Sequence, residues 1–407
     1  MPTVSLFAPE PADQKTVRGV THASDREQVL RRRLETVIGT PFTEGNAVTV
    51  LRNGDEIFPA MLDAIRAAES TVDLCTFVYW QGDIAVEFAE AMGERARAGV
   101  RVRLLIDALG GRLIDKSLVE EMDRAGVLVE WFRKPLMKSP FKSNHRLHRK
   151  VCIVDGRLGF TGGVGIAEEW CGDARNEHEW RDTHLRVEGP SVDGLQSAFI
   201  QNWAETGRPL YDERDQFPEQ PQCGRSTIQI ARGSASLGWD DMQSAFHVML
   251  GSAQERLRIA TAYFAPDDEF LETLCATAQR GVEVDLLLPG PHADKRVCQL
   301  ASEAAYARLV DDGVRVWNFQ PAMMHAKVMT VDGYASVVGS SNFNRRSLDH
   351  DEEVVLIALD SDLTATLDAH LDDDFRRSEL IDLSRWEERG VPQRVFEKAT
   401  KPIRRWL

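Results

Sequence analysis

Of the ten histidines in the chain, only His148 and His325 are followed two positions later by lysine, Lys150 and Lys327. Both also have aspartate at the seventh position, Asp155 and Asp332, and glycine at the fourteenth, Gly162 and Gly339. Agreement at three further positions, among so few histidines, points to a duplicated half-site. A histidine and a fixed cation converging on one spot suit an anionic phosphorus centre. Phosphoryl transfer without a metal needs charge neutralisation, a nucleophile and an acid for the leaving group. Two histidines and two lysines supply all three. One imidazole attacks phosphorus to give a phosphohistidine; the other protonates the leaving alcohol, then activates an incoming alcohol or water. Lys150 and Lys327 hold the non-bridging oxygens, helped by Ser340 and Asn342. Neither motif reads as a metal site, since lysine is no ligand at neutral pH and the nearby carboxylates are few. No cofactor is expected.

Each histidine needs a carboxylate to fix its tautomer. Glu353, at the head of a strand-like run after the second motif, and Asp182, in the equivalent place before Thr183–Val187, are the candidates. Asp155 and Asp332 complete the repeated motif, but their place at Asp-Gly dipeptides suits turn formation more than substrate contact.

The elements that must position these groups repeat once. Val-Cys-Ile-Val after Lys150 and Val-Met-Thr-Val after Lys327 read as short buried strands ending at Asp155-Gly156 and Asp332-Gly333. Side chains at i and i+2 of a strand share a face, so each histidine points the same way as its lysine. The first half reads strand Thr71–Trp80, helix Ala85–Ala98, strand Val100–Ile106, helix Asp115–Ala125 and strand Val127–Phe132. The second reads strand Arg256–Phe264, helix Asp267–Arg280, strand Val282–Leu288, helix Lys295–Asp312 and strand Val314–Phe319. This alternation argues for an α/β fold in each half, with helices covering the sheet. The expected divisions are an N-terminal extension at 1–44, partly disordered, a first half at 45–207, a linker at 208–225, a second half at 226–377 and a tail at 378–407.

A chain of 407 residues can bury one large core or two smaller ones. No apolar run approaches the eighteen residues of a membrane span, and Met1 to Lys15 lacks the pattern of a signal peptide. The six cysteines form no CxxC pair, which disfavours zinc and disulfides and makes a reducing compartment the default. A formal charge of −15 argues against a protein that coats nucleic acid.

The pattern His-x-Lys-x4-Asp-x6-Gly resembles the signature of the phospholipase D superfamily. Trp180-Arg181-Asp182-Thr183-His184, Tyr263-Phe264-Ala265-Pro266-Asp267, Leu287-Leu288-Pro289-Gly290-Pro291 and Gly339-Ser340-Ser341-Asn342-Phe343 are similar to phrases of bacterial cardiolipin synthases. The resemblance runs from about Val48 to Leu371. It implies two pseudo-symmetric α/β/α halves with mixed sheets and the active site at their interface. It also implies transfer of a phosphatidyl group from one phosphatidylglycerol to another, with His148 as nucleophile and His325 as acid and base. Gly165 and Asp351 stand where the family usually has asparagine, and the paired membrane helices of many members are absent.

The stretch Trp131–Lys150 is the most basic in the chain and interleaves apolar residues. Trp131, Arg133, Lys134, Lys138 and Lys142 are therefore expected to dock on anionic headgroups, and Lys398–Leu407 is a second basic-aromatic segment. Tyr79, Trp80, Tyr263 and Phe264 are candidates for lining the substrate channel or for the core. The expected partners are phosphatidylglycerol and the inner face of the cell membrane, reached from the cytoplasm, with no nucleic acid. Hydrolysis of phospholipid uses the same residues and stays open as the alternative, with a metal-independent nuclease behind it.

Overall fold

The strands after the two lysines are buried along their whole length, and the parallel strands beside them are buried throughout in the first half and in all but their first residue in the second, as expected of a sheet covered on both faces. In a computed structural model, which describes residues 23–134, 145–210, 214, 217–234 and 241–383, all but two short strands join one 15-stranded mixed sheet. Its first-half order, from the centre outward, is Thr43–Arg52, Thr183–Glu188, Leu158–Gly162, Val151–Val154, Thr71–Thr76, Arg101–Asp107 and Leu128–Phe132. The second half repeats it with Ser226–Gly233, Glu353–Leu359, Ala335–Gly339, Val328–Val331, Arg256–Ala260, Glu283–Pro289 and Arg315–Phe319. The halves join where Thr43 faces Ile228 and Asn46 faces Ser226. Strand Glu353–Leu359 also packs against Leu158–Gly162, and Ala335–Gly339 against Thr183–Glu188. The apolar residues that fill the space include Leu185, Val187, Val338, Val354 and Leu356, drawn from both halves.

Local chemistry sets the boundaries. Helix Lys116–Ala125 starts at Asp115, whose carboxylate accepts from the Ser117 N–H, and stops at the left-handed Gly126. Helix Asp268–Gln279 is capped by Asp267, which accepts from the Phe270 N–H at 2.8 Å. The single helix expected over Lys295–Asp312 is two, Arg296–Glu303 and Tyr306–Asp311, separated by Ala304 and Ala305. Two outer divisions also change. Helix Ala23–Ile38 places Leu30, Leu34 and Ile38 in the second-half core, so the described part of the N-terminal extension is a folded piece of that half. Ser378–Leu380, expected in the tail, adds an edge strand beside Arg315–Phe319. Residues 1–22 and Lys398–Leu407 lie outside the described residues.

The two motif aspartates are strand anchors. Asp155 and Gly156 both have positive φ, as do Asp332 and Gly333, the geometry of a tight hairpin turn. The Asp155 carboxylate accepts from the backbone N–H groups of Glu69, Ser70 and Thr71 at 2.7–2.9 Å. Asp332 does the same for Gln254, Glu255 and Arg256 at 2.8–2.9 Å. Each aspartate sits seven residues beyond its histidine, at the far end of the intervening strand and roughly 20 Å along it. Neither belongs with the groups that meet substrate, which corrects their inclusion in the catalytic set. Replacing Asp332 with Ala strands three N–H donors and should cost about 2–3 kcal/mol of stability. Thermal denaturation should show the lower midpoint, while turnover per folded molecule stays at the wild-type value.

Candidate active site

Both histidines reach the site through short backbone bridges to the opposite half. The His148 N–H donates to the Glu352 carbonyl at 3.0 Å, and the Glu352 N–H donates back to the Arg146 carbonyl at 2.8 Å. Symmetrically, the His325 N–H donates to the Arg181 carbonyl at 2.8 Å, and the Arg181 N–H to the Met323 carbonyl at 2.9 Å. The side chains cross in the same way. His148 Nδ1 lies 2.8 Å from Glu353 Oε1, and His325 Nδ1 lies 2.6 Å from Asp182 Oδ2. Each half thus orients the histidine of the other, and all four side chains are buried.

An ionised carboxylate only accepts, so each Nδ1 carries the proton and each Nε2 presents a lone pair. Burial, the largest influence, pulls His148 down to about 4 and His325 to about 3, and the neighbouring lysine charges push the same way. Lys327 acts on His148 and Lys150 on His325, so the two motifs share one electrostatic environment. Burial also lowers Lys150 to about 8 and Lys327 to about 7. The carboxylates move down against their own burial, held ionised by the histidine and lysine beside them.

The halves are unlike in detail. Lys150 Nζ donates to the His148 carbonyl at 2.8 Å and lies 5.8 Å from the Phe77 ring centre. His148 Nε2 has no hydrogen-bond partner among the described residues. Lys327 likewise donates to the His325 carbonyl, but it also stands against the ring of its own histidine, 3.0 Å from Nδ1 and 3.2 Å from Nε2. Around His325 are Trp170 at 5.0 Å, Trp180 at 5.3 Å and Tyr263 at 6.4 Å between ring centres. His148 meets Phe77 at 5.3 Å.

Among the supporting residues, Ser340 donates its hydroxyl to Glu353 Oε2, so it props the carboxylate; the expected phosphate contact is not available to that proton. Asn342 is buried, and its side-chain amide has no hydrogen-bond partner among the described residues. Its counterpart Gly165 faces Val78 and Trp170, where a Cβ would come within 2.7 Å of the valine. Asp351 is buried and pushed up to about 7 by desolvation, with Arg346 at 3.2 Å. Tyr263 borders the site and bonds Asp294 at 2.7 Å; Tyr79 and Phe264 are core residues, and Trp80 donates to the Gly110 carbonyl at 2.8 Å.

The basic stretch is largely structural. Trp131 is half-buried against the first-half core. Arg133 forms a two-point ion pair with Glu205 at 2.7 and 2.9 Å. Arg146 is clamped on Asp107 at 2.8 Å, and buried Arg149 donates to Ala198, Asn202, Gly233 and the Glu353 carbonyl. Trp131 and Arg133 are therefore not free to dock on headgroups, a correction to the sequence expectation. Lys134 is exposed; Lys138 and Lys142 lie outside the described residues. Sequence reasoning missed Phe77, Trp170 and Trp180, since no spacing rule ties them to either motif.

With folded values near 4 and 3, both imidazoles stay neutral well below the usual histidine range. Their nitrogen-15 shifts should be those of the Nδ1–H tautomer from neutral pH down to about pH 5.

Residues 61–180 and 247–375, each containing one motif, match the family model described as cardiolipin synthase, PLD-like domain. Cardiolipin synthase 1 of Bacillus anthracis is 29% identical over 390 residues, spanning 93% of this chain and 76% of that protein. A probable cardiolipin synthase of Bacillus subtilis, YwiE, is 34% identical over 353 residues, spanning 86% of this chain and 70% of that protein. Among solved structures, phosphatidylserine synthase of Haemophilus influenzae superposes with a TM-score of 0.69 at 13% identity, covering 93% of this chain and all of that one. Polyphosphate kinase of Porphyromonas gingivalis gives 0.56 at 15% identity, covering 88% of this chain and 53% of that one. At such identities these two likenesses speak to the fold alone. The sequence matches over most of the chain go further: it is a member of the cardiolipin synthase family of phospholipase D-like proteins.

Proposed function

We propose that this protein joins two phosphatidylglycerol molecules into cardiolipin and glycerol through a phosphohistidine intermediate. The observation that carries the mechanism is the crossed pair of histidine–carboxylate bonds, which leaves two neutral imidazoles beside two buried lysines. The donor phosphodiester docks against Lys150, Lys327 and the unpaired amide of Asn342. Its negative charge offsets the lysines and raises the proton affinity of His325, whose Nε2 lies beside the Lys327 ammonium.

His148 Nε2, with its lone pair free, attacks phosphorus as the bond to the glycerol oxygen breaks. Protonated His325 delivers its Nε2 proton to that oxygen, and glycerol leaves. A hydroxyl of the second phosphatidylglycerol then gives its proton to His325 and attacks phosphorus. The phosphorus–nitrogen bond breaks, and His148 returns with its lone pair. Glu353 and Asp182 keep both rings oriented and stabilise the charge each acquires.

Peripheral association with the inner face of the cell membrane completes the reading. Among the described residues no helix is long and apolar enough to cross a membrane. Lys134 and the exposed Leu109 and Leu113, on the turn after strand Arg101–Asp107, suit anionic headgroups and the interface.

The decisive assay uses phosphatidylglycerol vesicles with excess EDTA, comparing wild type with His148→Ala and His325→Ala. Cardiolipin plus glycerol, resistant to chelator and reduced at least about 10³-fold in both variants, is the expected result. Phosphatidic acid as the main product would replace this reading with hydrolysis. Chelator-resistant nucleic-acid cleavage without lipid turnover would replace it with a nuclease.

The lysines set the pH dependence. Each is charged below its folded value and neutral above it, so anion binding is lost as pH rises through about 7 to 8. The kcat/KM profile should fall across that window, and Lys327→Arg, which cannot deprotonate, should move the fall upward.

A further inference from the structure

The two histidine–carboxylate pairs are propped differently. In the second half, the Ser340 hydroxyl donates to Glu353 Oε2, leaving Oε1 to His148. The first-half position that matches Ser340 is Gly163, which has no side chain to offer. Nor is there room for one: a Cβ there would come within 2.2 Å of Asp182 Oδ1.

Asp182 Oδ1 accepts from the Thr183 backbone N–H at 2.8 Å, and the side-chain donor to this carboxylate comes from a different residue. Trp170, buried at the end of the short helical turn Glu168–Trp170, donates its indole N–H to Asp182 Oδ2 at 2.8 Å. The same oxygen accepts from His325 Nδ1 at 2.6 Å. The indole stands edge-to-face against His325, at 5.0 Å and 85°, and is braced by Trp180 at 4.6 Å. Gly165 gives it space, since a Cβ there would come within 3.1 Å of two indole ring carbons. The missing asparagine of the first motif and the indole are thus two sides of one packing arrangement.

We propose that Trp170 is the positioning residue of the Asp182–His325 pair, its indole N–H being the side-chain donor to that carboxylate as the Ser340 hydroxyl is to Glu353, but placed on the oxygen that His325 itself uses. Two N–H groups on Oδ2 draw charge off that oxygen, so it stabilises an imidazolium less than a singly bonded carboxylate would. The indole face also fixes the orientation of the His325 ring toward the leaving alcohol, and it is through this orientation that turnover depends on Trp170. The other groups acting on His325 are Lys327 and Lys150, both of which disfavour its protonation, and Tyr263, edge-on at 6.4 Å.

The inference rests on the two-histidine reading above, and the test separates the two. Trp170→Phe keeps an aromatic ring and removes the N–H. The readouts are the His325 titration by nitrogen-15 NMR and the kinetics of cardiolipin formation from phosphatidylglycerol vesicles. The expected result is a His325 midpoint shifted upward, an unmoved His148 midpoint, and a kcat about 10- to 100-fold lower with KM within about twofold. An unchanged His325 titration in folded Trp170→Phe overturns the assignment. Should that variant not fold, Gly165→Ala decides by the same readouts, because its methyl crowds the indole ring and shifts its N–H off Asp182 without deleting the donor. Retention of cardiolipin synthesis by His325→Ala, in contrast, would defeat the two-histidine reading itself.

Discussion

Everything at the centre of this protein depends on two hydrogen bonds that cross between its halves, His148 to Glu353 and His325 to Asp182. A buried imidazole without an acceptor at Nδ1 has neither a fixed tautomer nor a fixed ring orientation, and neither half offers its own histidine such an acceptor. The interface must therefore be held to hydrogen-bond tolerance. Backbone bridges at Leu147–Glu352 and Arg181–Met324 set the registration. Arg149 then ties the first motif to Gly233 and Glu353 of the second half, and Arg181 meets Asp374 at 2.9 Å. Removing one partner from such buried charged contacts is costly, because the other is left uncompensated.

Duplication supplies the scaffold, and small departures from it divide the labour. Both halves place a histidine, a lysine and an anchoring aspartate on the same strand-turn-strand unit. Yet Gly163 matches Ser340, Gly165 matches Asn342, and Val78 matches Tyr263. One histidine consequently faces phenylalanine with its Nε2 open, while the other sits in an aromatic cage with a lysine over its ring. A two-step transfer asks one group to bond phosphorus and the other to carry a proton, and the unlike surroundings fit unlike tasks.

The basic stretch shows how charge composition misleads when partners are remote. Arg133, Arg146 and Arg149 read as a surface feature because their own segment has no acidic residue. Their partners, Glu205, Asp107 and Glu352, come from elsewhere in the fold. Arg133, the one of the three expected to reach a membrane, is instead spent with the other two in holding the chain together at the entrance to the first motif.

What the sequence alone determined was local and periodic: the repeated motif, the buried strands after each lysine, the Asp-Gly turns and the alternation of strands with helices. These follow from backbone preferences and side-chain alternation over a few residues, which two copies make doubly visible. It also marked Asp182 and Glu353 as carboxylates at strand heads. Only the tertiary structure decided which carboxylate serves which histidine, across separations of 205 and 143 residues. It likewise assigned Ser340 to a carboxylate, the arginines to ion pairs and Trp170 to Asp182. Hydrogen bonds and desolvation act over a few ångströms of space, and sequence distance does not report that separation.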